Sequence, residues 1–200
     1  MDAHSTNAHS RLVNETIEKR RSIFQSQYTG EIVDDAIVKQ ILENANWAPT
    51  HKLTEPWRFV VFSGDGLRKL GEFQSELYKR IRTPQGTFKE DKYREFRDKP
   101  LLSSHIIAVG MKRDERKSLP EIEEIGAVYC AIENMYITAS AYGIGSYLST
   151  GGITYFEEAK EFFGLGTDDK LLGFFHLGIP KGPLAPGKRK PVSEKTQWIR

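Results

Sequence analysis

Two short clusters in the sequence contain residues that could bind or transform a ligand. In the first cluster, Arg20, Arg21 and Ser22 follow one another at the end of a predicted helix. Two guanidinium groups and a hydroxyl can form a phosphate clamp, because arginine presents a rigid fork of hydrogen-bond donors. The alternative is an ordinary solvated helix end, so this cluster alone is a weak indication of an anion site.

The second cluster is the loop at residues 47–59, between a predicted helix and a predicted strand. Trp47 and Trp57 frame it, and His51 and Lys52 lie between them. Loops carry a large share of binding residues, and planar rings beside a histidine and a lysine could line a flat aromatic ligand. The alternative is that both tryptophans pack in the core.

Several common catalytic signatures are absent from the sequence. It contains no Gly-x-Ser-x-Gly nucleophile elbow, no Gly-Lys-Ser/Thr phosphate loop and no Gly-x-Gly-x-x-Gly dinucleotide fingerprint after a strand. The histidines and the cysteine do not have zinc-site spacing. His105 and His176 lie inside strand runs and are expected to be packed core residues. An enzyme with this composition would leave the difficult chemistry to a bound cofactor.

The charge balance limits the classes of partner. The 200 residues include 29 lysines and arginines and 27 aspartates and glutamates, for a net charge of +2. A nucleic-acid-binding protein usually carries a clear basic excess. Nucleic-acid binding through the basic runs 19–21 and 188–190 is therefore the weakest alternative.

The single cysteine and the absence of apolar segments indicate the compartment. Cys130 cannot form an intrachain disulfide, so a reducing cytosol is expected, and its apolar helical surroundings predict a small core residue. Residues 1–10 lack the apolar centre of a signal peptide, and no apolar run approaches the roughly 20 residues that span a bilayer. We expect a cytoplasmic protein with no membrane partner.

Hydrophobic spacing predicts helices and strands in alternation. Helices are expected at residues 11–21, 33–45, 67–81, 122–142 and 155–163, and strands at 57–62, 105–111, 144–148 and 171–177. We predict an α+β fold with a central mixed β-sheet flanked by helices. Residues 1–10 are expected to be a disordered tail, and residues 11–200 a single domain.

Local patterns refine three of these elements. The first helix is expected to bury Leu12 and Ile17. The helix at 122–142 is apolar nearly all round and is therefore expected to be the central buried helix. Thr154 and Glu157 have the spacing of a capping box at the start of the helix 155–163.

The ordered set of motifs resembles the FMN-dependent nitroreductase family, and the Thr50-His51-Lys52 loop is most similar to its small, minimal branch. The motifs are Arg20-Arg21-Ser22, Ala48-Pro49, Pro56-Trp57-Arg58-Phe59, the helix segment 133–139, Gly143-Ile144-Gly145-Ser146 and the strand segment 171–180. The likeness covers about residues 14 to 192. Each motif is weak by itself, whereas their common order is fairly specific.

The resemblance implies a homodimer with two FMN molecules at the subunit interface. NADH or NADPH would reduce the flavin, and a small aromatic acceptor such as a nitroaromatic or a quinone would then oxidise it in a ping-pong cycle. The tail after residue 180 would extend over the partner subunit. The alternative for the tail is a floppy segment without a partner.

The resemblance also assigns cofactor-binding residues, whereas the chemistry itself belongs to FMN. Arg20, Arg21 and Ser22 would contact the phosphate, the ribityl chain and the pyrimidine edge. Trp47 and His51 would approach the flavin from its own or the other subunit. The strand-end residues Leu148, Ser149 and Thr150 would pass beside the ring, and Lys188 or Arg189 would close over the phosphate. No metal ligand is expected.

The sequence departs from the family pattern at Phe24, where many relatives carry a lysine or an arginine. Either Arg21 or Lys52 supplies the positive charge near the reduced flavin, or the flavin is harder to reduce. The second possibility keeps open an alternative function, a flavin-binding protein for storage or sensing without efficient turnover.

Overall fold

A computed structural model of the chain describes residues 7–200. The helices are α1 (Ala8–Lys19), α2 (Asp35–Asn46), α3 (Asp65–Arg82), α4 (Glu90–Asp98) and α5 (Glu121–Ala141). The strands are β1 (Trp57–Ser63), β2 (His105–Met111), β3 (Gly145–Ser149) and β4 (Lys170–Gly178). This arrangement confirms the predicted α+β class, and β2 has the predicted bounds.

The four strands form one sheet in the order β1-β2-β4-β3, and every neighbouring pair is antiparallel. The prediction of a mixed sheet is therefore wrong for strand direction. Helix α5 joins β2 to β3, and these two strands do run the same way, as a helical crossover favours. Strand β4 inserts between them, so the two parallel strands are never neighbours.

Each face of the sheet carries its own apolar core, because successive strand residues point to opposite faces. One core includes Ile107, Val109 and Phe175 and packs against α2 and α5. The other includes Ile106 and Phe174 and packs against α3. Every residue of β2 is buried, as expected for a strand that lies between two apolar cores.

Helix α5 is buried on one side only, which corrects the prediction of a helix surrounded by core. Val128 and Met135 are fully buried against the sheet, whereas Ile122 is 70% exposed and Tyr129 is 44% exposed. Cys130 is also exposed, so its predicted core position is wrong. Hydrophobicity alone does not reveal whether an apolar helix face is covered within the same chain.

Helix α1 begins at Ala8, three residues before the predicted start, and the Asn7 side chain accepts a hydrogen bond from the Ser10 backbone N–H. Residues 8–10 are therefore helical, whereas residues 1–6 of the predicted tail lie outside the described residues. Leu12 and Ile17 were expected to be buried but are 64% and 47% exposed. No residue of α1 is buried, although the helix contacts α5.

The predicted helix at 155–163 is replaced by two 3₁₀ segments, Gly152–Tyr155 and Glu157–Phe163. Thr154 does not act as an N-cap, because its hydroxyl donates backwards to the carbonyl of Gly151. The charged segment 83–100 contains α4, which packs against α3. No helix within residues 7–200 is both long and apolar enough to cross a membrane.

Candidate functional site

The Arg20–Ser22 segment leaves α1 and runs beside the sheet edge formed by β3. Ser22 forms a parallel bridge with Ser146, and the Ile23 backbone N–H donates to the Ser146 carbonyl at 3.0 Å. Ile23 is buried and anchors the segment, whereas Arg20 is only partly covered. Strand pairing thus holds the Arg20–Ser22 segment next to β3, the strand whose end contains Leu148 and Ser149.

Tyr136 on α5 connects these two clusters. Its hydroxyl accepts a hydrogen bond from the Leu148 backbone N–H at 2.5 Å. The Arg20 guanidinium lies over the Tyr136 ring, 4.9 Å from its centroid, and Arg20 Nε is 3.9 Å from a Glu133 carboxylate oxygen. Burial raises the pKa of the Tyr136 hydroxyl, so it stays protonated at neutral pH.

Tyr136 and Glu133 were not among the predicted site residues. They lie three positions apart and therefore share one face of α5. A glutamate and a tyrosine three residues apart on an otherwise apolar helix were the sequence feature that could have identified these two residues. Arg20 and the Leu148 backbone both contact Tyr136, and Ser22 pairs with Ser146 of the same strand as Leu148. That these residues share one ligand stays a prediction.

Arg21 has a different environment from Arg20. Its guanidinium donates to the backbone carbonyls of Glu18, Arg20 and Ala185, and it packs directly against Gly187. These contacts use most of its five donors. Arg21 therefore holds the start of the C-terminal tail against the end of α1. Arg20 is the arginine that remains available to an anion.

A cavity of about 580 Å³ opens beside this arginine pair. Its lining includes Arg20, Arg21, Lys19, Glu133 and Arg189. Lys188, the other candidate from the tail, does not line it. Cations outnumber the carboxylates around this cavity, so it favours an anion such as a phosphate group.

The loop that contains Trp47, His51 and Lys52 contacts other residues of α5 than the arginine cavity does. Trp57 is buried in the core, whereas Trp47 is 84% exposed and borders a shallow pocket with Asn134 and Thr138. His51 Nδ1 is 2.6 Å from a Glu123 carboxylate oxygen near the start of α5. The Lys52 ammonium donates to the Ser118 carbonyl and so is engaged within the same chain.

The spacing along α5 keeps His51 away from the arginine cavity of the same chain. Glu123, which contacts His51, and Glu133, which contacts Arg20, are ten residues apart, or roughly 15 Å along an α-helix. One protomer thus brings Arg20, Ser22 and Leu148 together but does not bring His51 to them. Trp47 and His51 both touch α5 residues and are exposed in the single chain.

A buried polar network lies behind the end of β3. His176 is 6% exposed, and its Nδ1 lies 3.0 Å from Gln25 Nε2 and 3.1 Å from Ser103 Oγ. Its Nε2 is 3.1 Å from Ser149 Oγ, and its ring stacks on Tyr147. With Nδ1 as acceptor, Nε2 carries the hydrogen and donates to Ser149. His176 and His105 are both buried, which confirms that they are packed core histidines.

Burial lowers the pKa of His176 to about 3 and raises the pKa of Tyr147 to about 12. The unfolded chain binds a proton at His176 below about pH 6.5, whereas the folded chain does not until about pH 3. The stability that depends on neutral His176 is therefore present above pH 6.5 and is lost as the pH falls.

We predict that the free energy of unfolding contains a His176 contribution that decreases by about 2 kcal/mol between pH 7.5 and pH 5.0. Urea titrations at both pH values measure the total change. The His176→Gln variant has an amide that can donate and accept hydrogen bonds but no titrating group at this position. Between pH 7.5 and pH 5.0 its free energy of unfolding should therefore decrease by about 2 kcal/mol less than that of the original protein. Equal pH dependence in the two proteins would contradict the proposed titration.

Within residues 7–200, no three histidine, cysteine, aspartate or glutamate side chains are grouped closely enough to hold a metal ion.

Comparison with known protein families gives a consistent match. The profile of the Nitroreductase family matches residues 17–179. The "Putative NAD(P)H nitroreductase YfhC" of Bacillus subtilis is 28% identical over 185 residues, covering 92% of each chain. The "Putative NAD(P)H nitroreductase YdjA" of Escherichia coli is 30% identical over 145 residues, covering 72% of this chain and 76% of YdjA.

Solved structures share the fold. A nitroreductase-like family protein from Bacillus cereus superposes with a TM-score of 0.78 at 25% identity, over 100% of this chain and 98% of that one. The nitroreductase NfnB from Mycobacterium smegmatis, solved with NADPH, has a TM-score of 0.73 at 16% identity, over 96% and 100%. A Desulfovibrio desulfuricans protein solved with FMN has a TM-score of 0.69 at 24% identity, over 94% and 96%.

Proposed function

Because the chain belongs to the nitroreductase family, we propose that it is an FMN-dependent oxidoreductase that oxidises NADH or NADPH and reduces a small aromatic acceptor. The observation that carries this proposal is the cavity lined by Arg20 and Arg189 beside the Tyr136–Leu148 contact. It places an anion site next to a backbone edge that a planar ring can lie against. Bound FMN would accept a hydride and pass it on, so no protein nucleophile is needed.

The residues of this cavity fit a phosphorylated flavin. The Arg20 side chain is 18% exposed and lines the cavity, where it would form charge-assisted bonds to the phosphate, and Arg189 lines the cavity from the tail side. Ser22 and the backbone of residues 148–150 would orient the ring, because strand pairing and Tyr136 hold both segments in place. Arg21 supports the site indirectly by fixing the tail.

The geometry of α5 favours a homodimer with a shared site. Each chain's Trp47 and His51 would approach the flavin held by the other chain, since His51 lies roughly 15 Å along α5 from its own arginine cavity. The apolar residues exposed around α5 would form the interface. They are Leu12, Val13, Ile17, Trp47, Leu53, Ile122 and Tyr129.

We predict that Ile122→Asp converts a dimer into a monomer, because the substitution places a charge in the centre of an apolar contact. Light scattering after gel filtration should give twice the 22.8 kDa chain mass for the original protein and the single chain mass for the variant. Leu101→Asp is the matched control, since Leu101 is 51% exposed in the turn after α4. A dimer that persists in Ile122→Asp, or a monomeric original protein, would count against this interface.

Steady-state kinetics test the catalytic part of the proposal. Initial rates of NADPH and NADH oxidation, measured at several concentrations of p-benzoquinone or nitrofurazone, should give parallel double-reciprocal lines. Parallel lines are expected when the nicotinamide reduces the bound FMN and leaves before the acceptor binds at the same position. Intersecting lines would contradict the ping-pong order, and no oxidation of either nicotinamide would contradict the enzyme assignment.

Phe24 favours one alternative, a flavin-binding protein without efficient turnover. Its ring lies 5.0 Å from the Tyr147 ring and is 55% exposed, so an apolar group stands where a cation would stabilise a reduced flavin. Lys52 and Arg21 both engage backbone carbonyls of their own chain. Bound FMN that neither nicotinamide reduces would support this alternative.

A further inference from the structure

The hydroxyl of Ser149, at the end of β3, is held from one side only. Its oxygen lies 3.1 Å from His176 Nε2, and the acceptor it reaches within residues 7–200 is the Phe174 carbonyl, at the long distance of 3.5 Å. The side chain is partly exposed and borders a cavity of about 350 Å³ between α4 and the ends of β3 and β4. A serine hydroxyl can donate or accept, so what it offers to this cavity depends on His176.

The groups around Nδ1 fix the tautomer of His176. The Gln25 amide nitrogen lies 3.0 Å from Nδ1 and can only donate, so Nδ1 accepts and Nε2 carries the ring hydrogen. The Ser103 hydroxyl, 3.1 Å from Nδ1, can add a second donor. Burial lowers the pKa of His176 to about 3, which keeps the ring neutral at pH 7. Nε2 therefore donates to the Ser149 oxygen, and the Ser149 hydrogen has to be donated elsewhere.

Aromatic rings hold the imidazole in this orientation. Tyr147 stacks on His176 with ring centres 4.5 Å apart and an interplanar angle of 10°. Phe24 packs against Tyr147 at 5.0 Å. Because rotation of the His176 ring would break the stack as well as three polar contacts, the donor direction toward Ser149 is a fixed property of the fold.

The surroundings of Ser149 offer little other positive charge. Lys92 and Lys99 border the same cavity, but both pair with Glu95. Phe24 contributes an apolar ring and no charge. A ligand that gains negative charge beside the end of β3 would therefore find the Ser149 hydroxyl as a donor that its own chain has not already used.

We propose that His176 is a positioning residue, which keeps the Ser149 hydroxyl as a hydrogen-bond donor to the flavin ring. The inference rests on the proposed function, in which the ring lies along residues 148–150. A flavin gains electron density when it is reduced, and a hydrogen bond donated to a more negative acceptor is stronger. The Ser149 donor therefore favours reduced FMN, and its loss should lower the reduction potential of the bound cofactor.

The reduction potential of bound FMN, measured by equilibration with a reference dye and without a nicotinamide, tests this role. Ser149→Ala should change the ratio of affinities for reduced and oxidised FMN by about tenfold in favour of the oxidised form, which lowers the two-electron potential by about 30 mV. His176→Leu should lower it similarly. The double variant should show no further decrease, because His176 acts through Ser149.

Ser75→Ala is the matched control for the potential. It removes a buried hydroxyl on α3 that donates to the Glu72 carbonyl, so the potential should stay unchanged. Thermal melting checks the fold of each variant. If His176→Leu is unstable, His176→Gln takes its place in the double-variant comparison, and Ser149→Ala tests the donor by itself.

Nitrogen-15 NMR of the histidine-labelled, cofactor-free protein tests the tautomer without any flavin. His176 should have a protonated Nε2 and an unprotonated Nδ1 at neutral pH, and the loss of its signals in His176→Gln identifies them. A protonated Nδ1 would overturn the proposal, because Nε2 would then accept from Ser149 and the hydroxyl would have no hydrogen left for a ligand.

The outcomes separate this inference from the proposed function. If FMN binds but its potential is unchanged or raised in Ser149→Ala, the donor role of Ser149 is wrong and the oxidoreductase proposal still stands. Additive decreases in the double variant would overturn the positioning role of His176, because they would mean that His176 does not act through Ser149. A protein that does not bind FMN would contradict both proposals.

Discussion

Replacing Arg20 with alanine should weaken FMN binding by about 10- to 100-fold, because a charge-assisted hydrogen bond to a phosphate contributes about 1.5–3 kcal/mol. Arg20 is the guanidinium that lies over the Tyr136 ring and borders the 580 Å³ cavity without being consumed by backbone carbonyls. Quenching of FMN fluorescence on titration with the cofactor-free protein measures the dissociation constant.

Two controls make the Arg20 result specific. Arg68→Ala removes an exposed guanidinium on α3 that pairs only with Asp65 and Glu72, so FMN affinity should stay within twofold of the original. Riboflavin lacks the phosphate, and its affinity should therefore be nearly the same in Arg20→Ala and in the original protein. Equal losses for FMN and riboflavin would show that Arg20 supports the fold of the site rather than the phosphate.

Replacing Glu124 with alanine should lower the free energy of unfolding by about 3–5 kcal/mol, the usual cost of leaving one partner of a buried ion pair alone. Glu124 is 1% exposed and pairs with the Arg113 guanidinium, and its second oxygen accepts from the Asp114 backbone N–H. Arg113 also donates to the Leu119 carbonyl. Urea denaturation of the cofactor-free protein measures the change.

The Glu124 prediction also has a matched control on the loop that precedes α5. Glu115→Ala removes a carboxylate that is 87% exposed and lies 4.0 Å from Lys112, so the expected change is within about 0.5 kcal/mol. Glu124→Gln keeps an acceptor for Asp114 and should fall between the two alanine variants. A loss below about 1 kcal/mol in Glu124→Ala would mean that water or another group compensates Arg113.

The fold was predictable where short-range patterns determine it. Strand β2 has the predicted bounds because a run of apolar β-branched residues buried on both faces leaves few alternatives. The insertion of β4 between β2 and β3 depends on contacts between distant parts of the chain, so the sequence did not reveal the strand directions. The exposed side of α5 was missed for a similar reason, since its pattern resembles that of a core helix.

The candidate site was predictable in its composition but not in its connections. Arg20, Ser22 and Leu148 were expected to act together. Arg20 and the Leu148 backbone both contact Tyr136, and Ser22 pairs with Ser146 of the same strand as Leu148. Arg21 holds the tail through a hydrogen bond to the Ala185 carbonyl, 164 residues further along the chain, and no local sequence pattern indicates this contact.

The central proposal is that the arginine cavity holds a flavin that a nicotinamide can reduce. An absorbance spectrum of the pure protein, recorded without oxygen before and after NADPH or NADH, tests this claim directly. We expect visible flavin bands in the purified or FMN-supplemented protein and their loss after the nicotinamide is added. A protein that stays colourless in the presence of FMN would contradict the central claim.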